Sequence, residues 1–142
     1  MSVCEVTLNN TVPSVNTVFP LTFTPAGGTA ESYVPASVTV QAEYYKLGDF
    51  AIVWIPPVQF TNIGTPAAAT SIVTTGGSLP IAILPINDYS QYIFMQTPYL
   101  AQGVMGLSNG SADIVVNPYG AVWDTAGDIG FLQGVSLVYK TA

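Results

Sequence analysis

Val38-Thr39-Val40-Gln41-Ala42-Glu43-Tyr44-Tyr45, followed by Lys46-Leu47-Gly48-Asp49 and then Phe50-Ala51-Ile52-Val53-Trp54-Ile55, is the stretch that decides the fold class. In an extended chain Val38, Val40, Ala42 and Tyr44 point to one side, and Thr39, Gln41, Glu43 and Tyr45 to the other. Gly48 can take a positive φ at little cost, so Lys46 to Asp49 reads as a tight turn. The returning run is apolar on both faces. It predicts a strand covered on both sides, with Trp54 in the core. Pro56-Pro57 then ends the run or bends it.

Outward from this hairpin the same grammar continues. Eleven Pro and thirteen Gly, with abundant Thr and Val, break or disfavour helices throughout. Val3 to Leu8 and Leu21 to Thr24 read as early strands, and Ser71 to Thr75 as a short one. Ile81 to Leu84 follows between Pro80 and Pro85, then Gln91 to Met95. Asn109-Gly110 is the pair favoured in type I′ turns. With Ser108 paired to Ser111, Leu107 faces Ala112, Met105 faces Ile114 and Gly103 faces Val116. That register gathers Met105, Leu107, Ala112, Ile114 and Val116 on one apolar face. Gly120 to Gly130 reads as a loop. Gly134 to Lys140 reads as a last strand with Val135, Leu137 and Tyr139 on one side, built into a sheet. Eight to ten strands without linker or repeat predict one all-β domain over residues 1–142, a sandwich or barrel.

Composition bounds what such a domain does. Hydrophobic residues make up 49% of the 142 and charged residues 7%, against about 25% charged in an average globular chain. A chain of this length buries roughly 68% of its unfolded surface. With so few charges, its exterior keeps bare apolar area, which marks contacts with other proteins. An oligomer is the first expectation. Two lysines, no Arg and a net charge of −6 cannot neutralise phosphates, which excludes nucleic acid and disfavours anionic membranes. The N-terminus lacks a secretory signal. Phe50 to Val58, the longest apolar run, is far short of the ~20 residues that span a bilayer. Cys4 is the only cysteine, so no intrachain disulfide forms. It reads as a small apolar residue or an exposed thiol.

Catalytic chemistry finds little purchase. Without His, no Ser-His-Asp or Cys-His arrangement exists, and zinc sites built on His and Cys fail by the same count. Arg, the usual clamp for anions, is missing too. Asp124-Thr125-Ala126-Gly127 departs from an aspartic-protease turn by its extra Ala. Asp124 and Asp128 could bind Ca²⁺ with loop carbonyls, or serve turn chemistry in a solvated loop. Carboxylates paired across a groove for glycoside hydrolysis stay open, since spacing in sequence does not fix the ~5–9.5 Å such pairs need. The expectation is no catalytic residue, no metal and no cofactor. Asn9-Asn10-Thr11 and Asn109-Gly110-Ser111 match the glycosylation pattern, and the second has its own turn reason for Asn-Gly. Tyr119, Trp123 and Asp124, on a predicted loop, are the candidate binding residues, with packing under the loop as the alternative.

The segment Tyr44 to Trp54 resembles the Tyr-x-x-x-Gly-Asp/Asn hairpin in β-rich heads of viral fibres. Leu79-Pro80, the Gly103 to Val116 hairpin and the closing Gly134-Val135-Ser136-Leu137-Val138-Tyr139 continue the likeness over residues 36–142. Such domains are jelly-roll trimers of tumour-necrosis-factor and complement type, found in phages, large DNA viruses and virophages. The resemblance implies a jelly-roll β-sandwich and a homotrimer, with Val135, Leu137 and Tyr139 serving core and trimer near the three-fold axis. It implies a virion protein that attaches to a host receptor or glycan, or to capsid proteins. Many such heads follow a collagen-like Gly-X-Y stalk, which this sequence does not contain: either the stalk lies on a removed part of the chain, or this is a free-standing capsid or fibre subunit. A capsid-cementing protein is the alternative, and a glycan-cleaving fibre enzyme a further one.

Overall fold

The computed structural model describes residues 16–26, 37–63, 71–74, 78–96, 100–118, 127–131 and 133–142. Among them run ten strands: β1 (Thr17–Ala26), β2 (Val38–Leu47), β3 (Phe50–Ile55), β4 (Val58–Ile63), β5 (Ser71–Thr74), β6 (Tyr89–Gln96), β7 (Leu100–Leu107), β8 (Ile114–Pro118), β9 (Gly127–Phe131) and β10 (Val135–Lys140). The predicted strand Val3 to Leu8, Cys4 and the Asn9 sequon lie outside the described residues. Ile81–Ile83 forms a 3₁₀ turn, not an extended segment. Pro80 and Pro85 bracket only four residues, Ile81 to Leu84, and neither proline has an amide to donate to a ladder. The end of the Gly120 to Gly130 segment, read from sequence as loop, belongs to β9, which pairs with β4.

All pairing is antiparallel, and the strands join in one sheet ordered β10-β3-β2-β1-β5-β8-β7-β6-β9-β4. Its buried side chains nonetheless form one cluster. Phe19, Leu21 and Phe23 of β1 share it with Val53 and Ile55 of β3, Phe60 of β4, Ile72 of β5, Met95 of β6, Met105 of β7, Ile114 of β8 and Leu137 of β10. A flat ribbon of ten strands could not bring both ends to one core. The sheet curls on itself, with the right-handed twist of strands accumulating across it, and its concave face is the core.

The deciding hairpin forms as its pattern predicts. Leu47 pairs with Phe50 across Gly48-Asp49, and Gly48 has φ 59°, the positive value that two-residue hairpin turns demand. Ala42 is buried, with Val38, Val40 and Tyr44 packed on the core beside it. Tyr44 meets Phe19 edge-on at 5.6 Å between ring centroids. The expectation for β3 fails on one face. Ala51, Val53 and Ile55 are buried, but Phe50 is about half exposed and Trp54 is 44% exposed. Trp54 is a surface residue. Alternation assigned the two faces correctly, but nothing covers the second among the described residues.

The Asn109-Gly110 hairpin forms with its register shifted by two. Leu107 pairs with Ile114, Met105 with Val116 and Gly103 with Pro118. A shift of two keeps every side chain on its face, so Met105, Leu107, Ile114 and Val116 are all buried as the pattern required. The longer loop arises because residues 79–88 claim its backbone. Leu79 donates its amide to the Ala112 carbonyl (2.9 Å), Gly110 donates to the Pro85 carbonyl (2.7 Å), and the Asp88 carboxylate accepts the Asn109 amide (2.9 Å). Ser111 closes the turn onto the Ser108 carbonyl at 2.9 Å. Gly110 holds φ 70° with open space where a Cβ would stand. Gly110→Val therefore costs backbone strain alone, ~1–3 kcal/mol, and the melting temperature is expected to fall by several degrees. An unchanged melting temperature contradicts this account of the turn.

β10 is locked from its inner side. Val135, Leu137 and Tyr139 are buried, while Ser136, Val138 and Lys140 face out. The Tyr139 hydroxyl donates to the Ile83 carbonyl (2.8 Å), and the Thr141 hydroxyl to the Leu84 carbonyl (2.8 Å). Burial pushes the Tyr139 phenol above its ordinary 10.0. The unfolded chain loses this proton first, so above pH 10 the folded state holds more protons and stability falls as pH rises. Below the unfolded value the contribution is fully present. Between pH 10 and 11.5 the wild-type melting temperature is expected to fall more steeply than that of Tyr139→Phe. Parallel curves contradict the assignment.

Candidate functional site

Register places the outward side chains of β2, β3 and β10 in a grid. Glu43, Trp54 and Ser136 form one row; Tyr45, Ile52 and Val138 the next; Leu47, Phe50 and Lys140 the third. Six of these nine positions are apolar or aromatic. Leu47, Phe50, Trp54 and Val138 are exposed. The two charges sit at diagonal corners, with Asn16 donating to Glu43 at 2.9 Å. Val18 extends the patch, since it pairs with Glu43 from β1 and is exposed.

A second feature lies at the seam of the sheet. β10 pairs with β3, while β6 pairs with β7 along its length and meets β9 only at Gln96. The remaining edges of β6 and β10 border a cleft of about 130 Å³. Ile93 and Val135, both core residues, form its floor. Tyr92 and Phe94 rise from the β6 side, 62% and 65% exposed. Gly134 stands opposite, under the rim of the Trp54 indole, where any β-carbon would collide with the ring. The absence of a side chain at 134 lets Trp54 lie across the end of β10. Gln91, Gln133 and Ser136 supply amides and a hydroxyl, and no charged residue lines the cleft.

The binding residues expected from sequence, Tyr119, Trp123 and Asp124, lie outside the described residues. Asp128 falls in β9, and its side chain is outside them too. Val135, Leu137 and Tyr139 belong to the chain's own core, so a neighbouring copy would meet the opposite face of β10. The structure draws attention instead to Trp54, Tyr92 and Phe94. Asp88 and Glu43 have local hydrogen-bonding work, and no three His, Cys, Asp or Glu side chains among the described residues gather to hold a metal. No described helix is long and apolar enough to cross a membrane.

No family model matches the sequence, and no curated protein matches it. Among solved structures the chain is similar to a reovirus attachment protein, sigma1, in a complex with alpha-2,3-sialyllactose. Identity is 11%, the TM-score is 0.48, and the overlap covers 89% of this chain and 66% of that one. At that level of likeness, function has to be read from this chain's own surface.

Proposed function

We propose that this chain is a non-enzymatic virion structural protein, the head domain of a homotrimeric fibre or spike that attaches to a host surface or to the capsid. The observation that carries the reading is the apolar grid on β2, β3 and β10. Its middle row, Tyr45-Ile52-Val138, and its exposed Leu47 and Phe50 form a contiguous apolar patch of the kind that supports a protein contact. A stable interface spans roughly 20–30 residues a side, so the grid is its apolar centre and flanking loops complete it. Glu43 and Lys140, at opposite corners, can pair with their opposites on neighbouring copies. The jelly-roll head resemblance of residues 36–142 supports the same reading. It implies a terminal strand near the three-fold axis, and because Val135, Leu137 and Tyr139 are buried in the chain's own core, we assign the contact to the outer row of β10.

The particle itself tests the role. Antibodies against the purified chain are expected to decorate projections on virions of the virus that encodes it. Labelling spread evenly over the capsid shell would favour a cementing protein, and unlabelled virions would overturn the reading.

A further inference from the structure

We infer that the cleft between β6 and β10 is a binding site for a neutral saccharide. This deepens the attachment role proposed above by giving it a ligand class and a location. Three observations carry it together. Two exposed aromatic rings line the cleft, Tyr92 and Phe94 on the same outward face of β6, and a third, Trp54, lies over Gly134 of its opposite wall. A pyranose presents an axial C–H face that is apolar and an equatorial rim of hydroxyls. Aromatic rings offer such a ligand flat apolar area at little conformational cost. The rim needs partners that donate and accept: the Gln133 amide and the Ser136 hydroxyl do both, while Gln91, whose Oε1 accepts from the Tyr89 hydroxyl at 2.7 Å, adds its NH₂ as a donor.

Charge then narrows the class. No ionic group lines the cleft, and the chain carries −6 overall. Its two lysines do not line the cleft. Lys140 pairs with Phe50 at the far end of β10, and Lys46 donates to the carbonyl of Ala142. A carboxylated or sulfated sugar would find no counter-charge there and a repelling field around it. The volume, about 130 Å³, is well below the ~300–1,000 Å³ of pockets that enclose a drug-sized ligand. The site therefore grips one ring and leaves the rest of a chain in solvent. Such shallow single-ring contacts are weak, and a trimer gains useful avidity by presenting several.

The experiment uses the purified full chain, a panel of neutral hexose and N-acetylhexosamine oligosaccharides, and their sialylated counterparts. Binding is read by titration calorimetry and by amide chemical-shift changes. At least one neutral oligosaccharide is expected to bind with a Kd near 1 mM or below, to perturb residues 91–94 and 133–136, and to lose at least tenfold in affinity with Phe94→Ala or Tyr92→Ala. Both positions are exposed, so the variants are expected to keep the wild-type far-UV dichroism. Binding of no neutral sugar, preference for the sialylated forms, capture of apolar peptides instead, or affinity unchanged in both variants overturns the inference. Its failure is separable from that of the fibre reading. Decorated virions and a trimer that binds no sugar sink only this site; sugar binding by a chain not found on virions sinks only the fibre.

Discussion

Leu137→Ala is expected to remove a large share of the domain's stability while leaving a cooperative unfolding transition. Leu137 is 0% exposed, pairs with Val53 and sits in the same cluster as Ile55 and Met105. Truncating a buried Leu costs ~2–5 kcal/mol, by lost transfer energy and the cavity left behind. A domain holds only ~5–15 kcal/mol in all. β10 also carries Tyr139 and leads into Thr141, which tie residues 82–84 to the sheet. Loosening the strand therefore releases a second segment. The urea midpoint is expected to drop by on the order of 1–2 M, given slopes of ~1–3 kcal/mol per molar. A midpoint within ~0.2 M of wild type would mean that β10 is not integral to the core.

The second large effect concerns assembly without unfolding. Phe50 and Val138 both lie on the outer grid, about half exposed in the single chain. Phe50→Glu with Val138→Asp is expected to leave the strand content and melting of the isolated chain close to wild type. Each anchor of a protein contact typically contributes about 2 kcal/mol or more, and ~1.4 kcal/mol is tenfold. The double variant is expected to weaken assembly on the order of a thousandfold, giving a folded monomer at micromolar concentration. A variant that still assembles as wild type would place the contact on another face.

These two experiments probe opposite faces of one strand, and sequence made only one of them legible. In β10, apolar and polar residues alternate closely enough to assign Val135, Leu137 and Tyr139 inward. In β3 every outward residue is also apolar, so periodicity could not tell a covered strand from one with a bare face. The signal was in the partners: Trp54 stands between Glu43 and Ser136, and Phe50 beside Lys140, neighbours that only the register reveals. β6 hid its surface the same way, since Tyr92 and Phe94 look no more polar than Ile93 and Met95. The Asn109-Gly110 hairpin shows a different limit. Face assignment survived because the error was two residues. The register itself was set by a hydrogen bond donated by Leu79 and by bonds accepted by Pro85 and Asp88, distant groups to which a local turn rule is blind. β9 was missed because Gly127-Asp128-Ile129-Gly130 carries turn residues and becomes a strand only through β4. The cleft is further still from local pattern, being the space between two edges that the curling sheet brings together.

Mass in solution tests most directly whether the bare face of β2, β3 and β10 is made to meet other copies of the chain. Sedimentation equilibrium of the purified chain at micromolar concentration is predicted to give a single species of three times the 14.9 kDa chain, unchanged on tenfold dilution. A single species at the mass of one chain would contradict it.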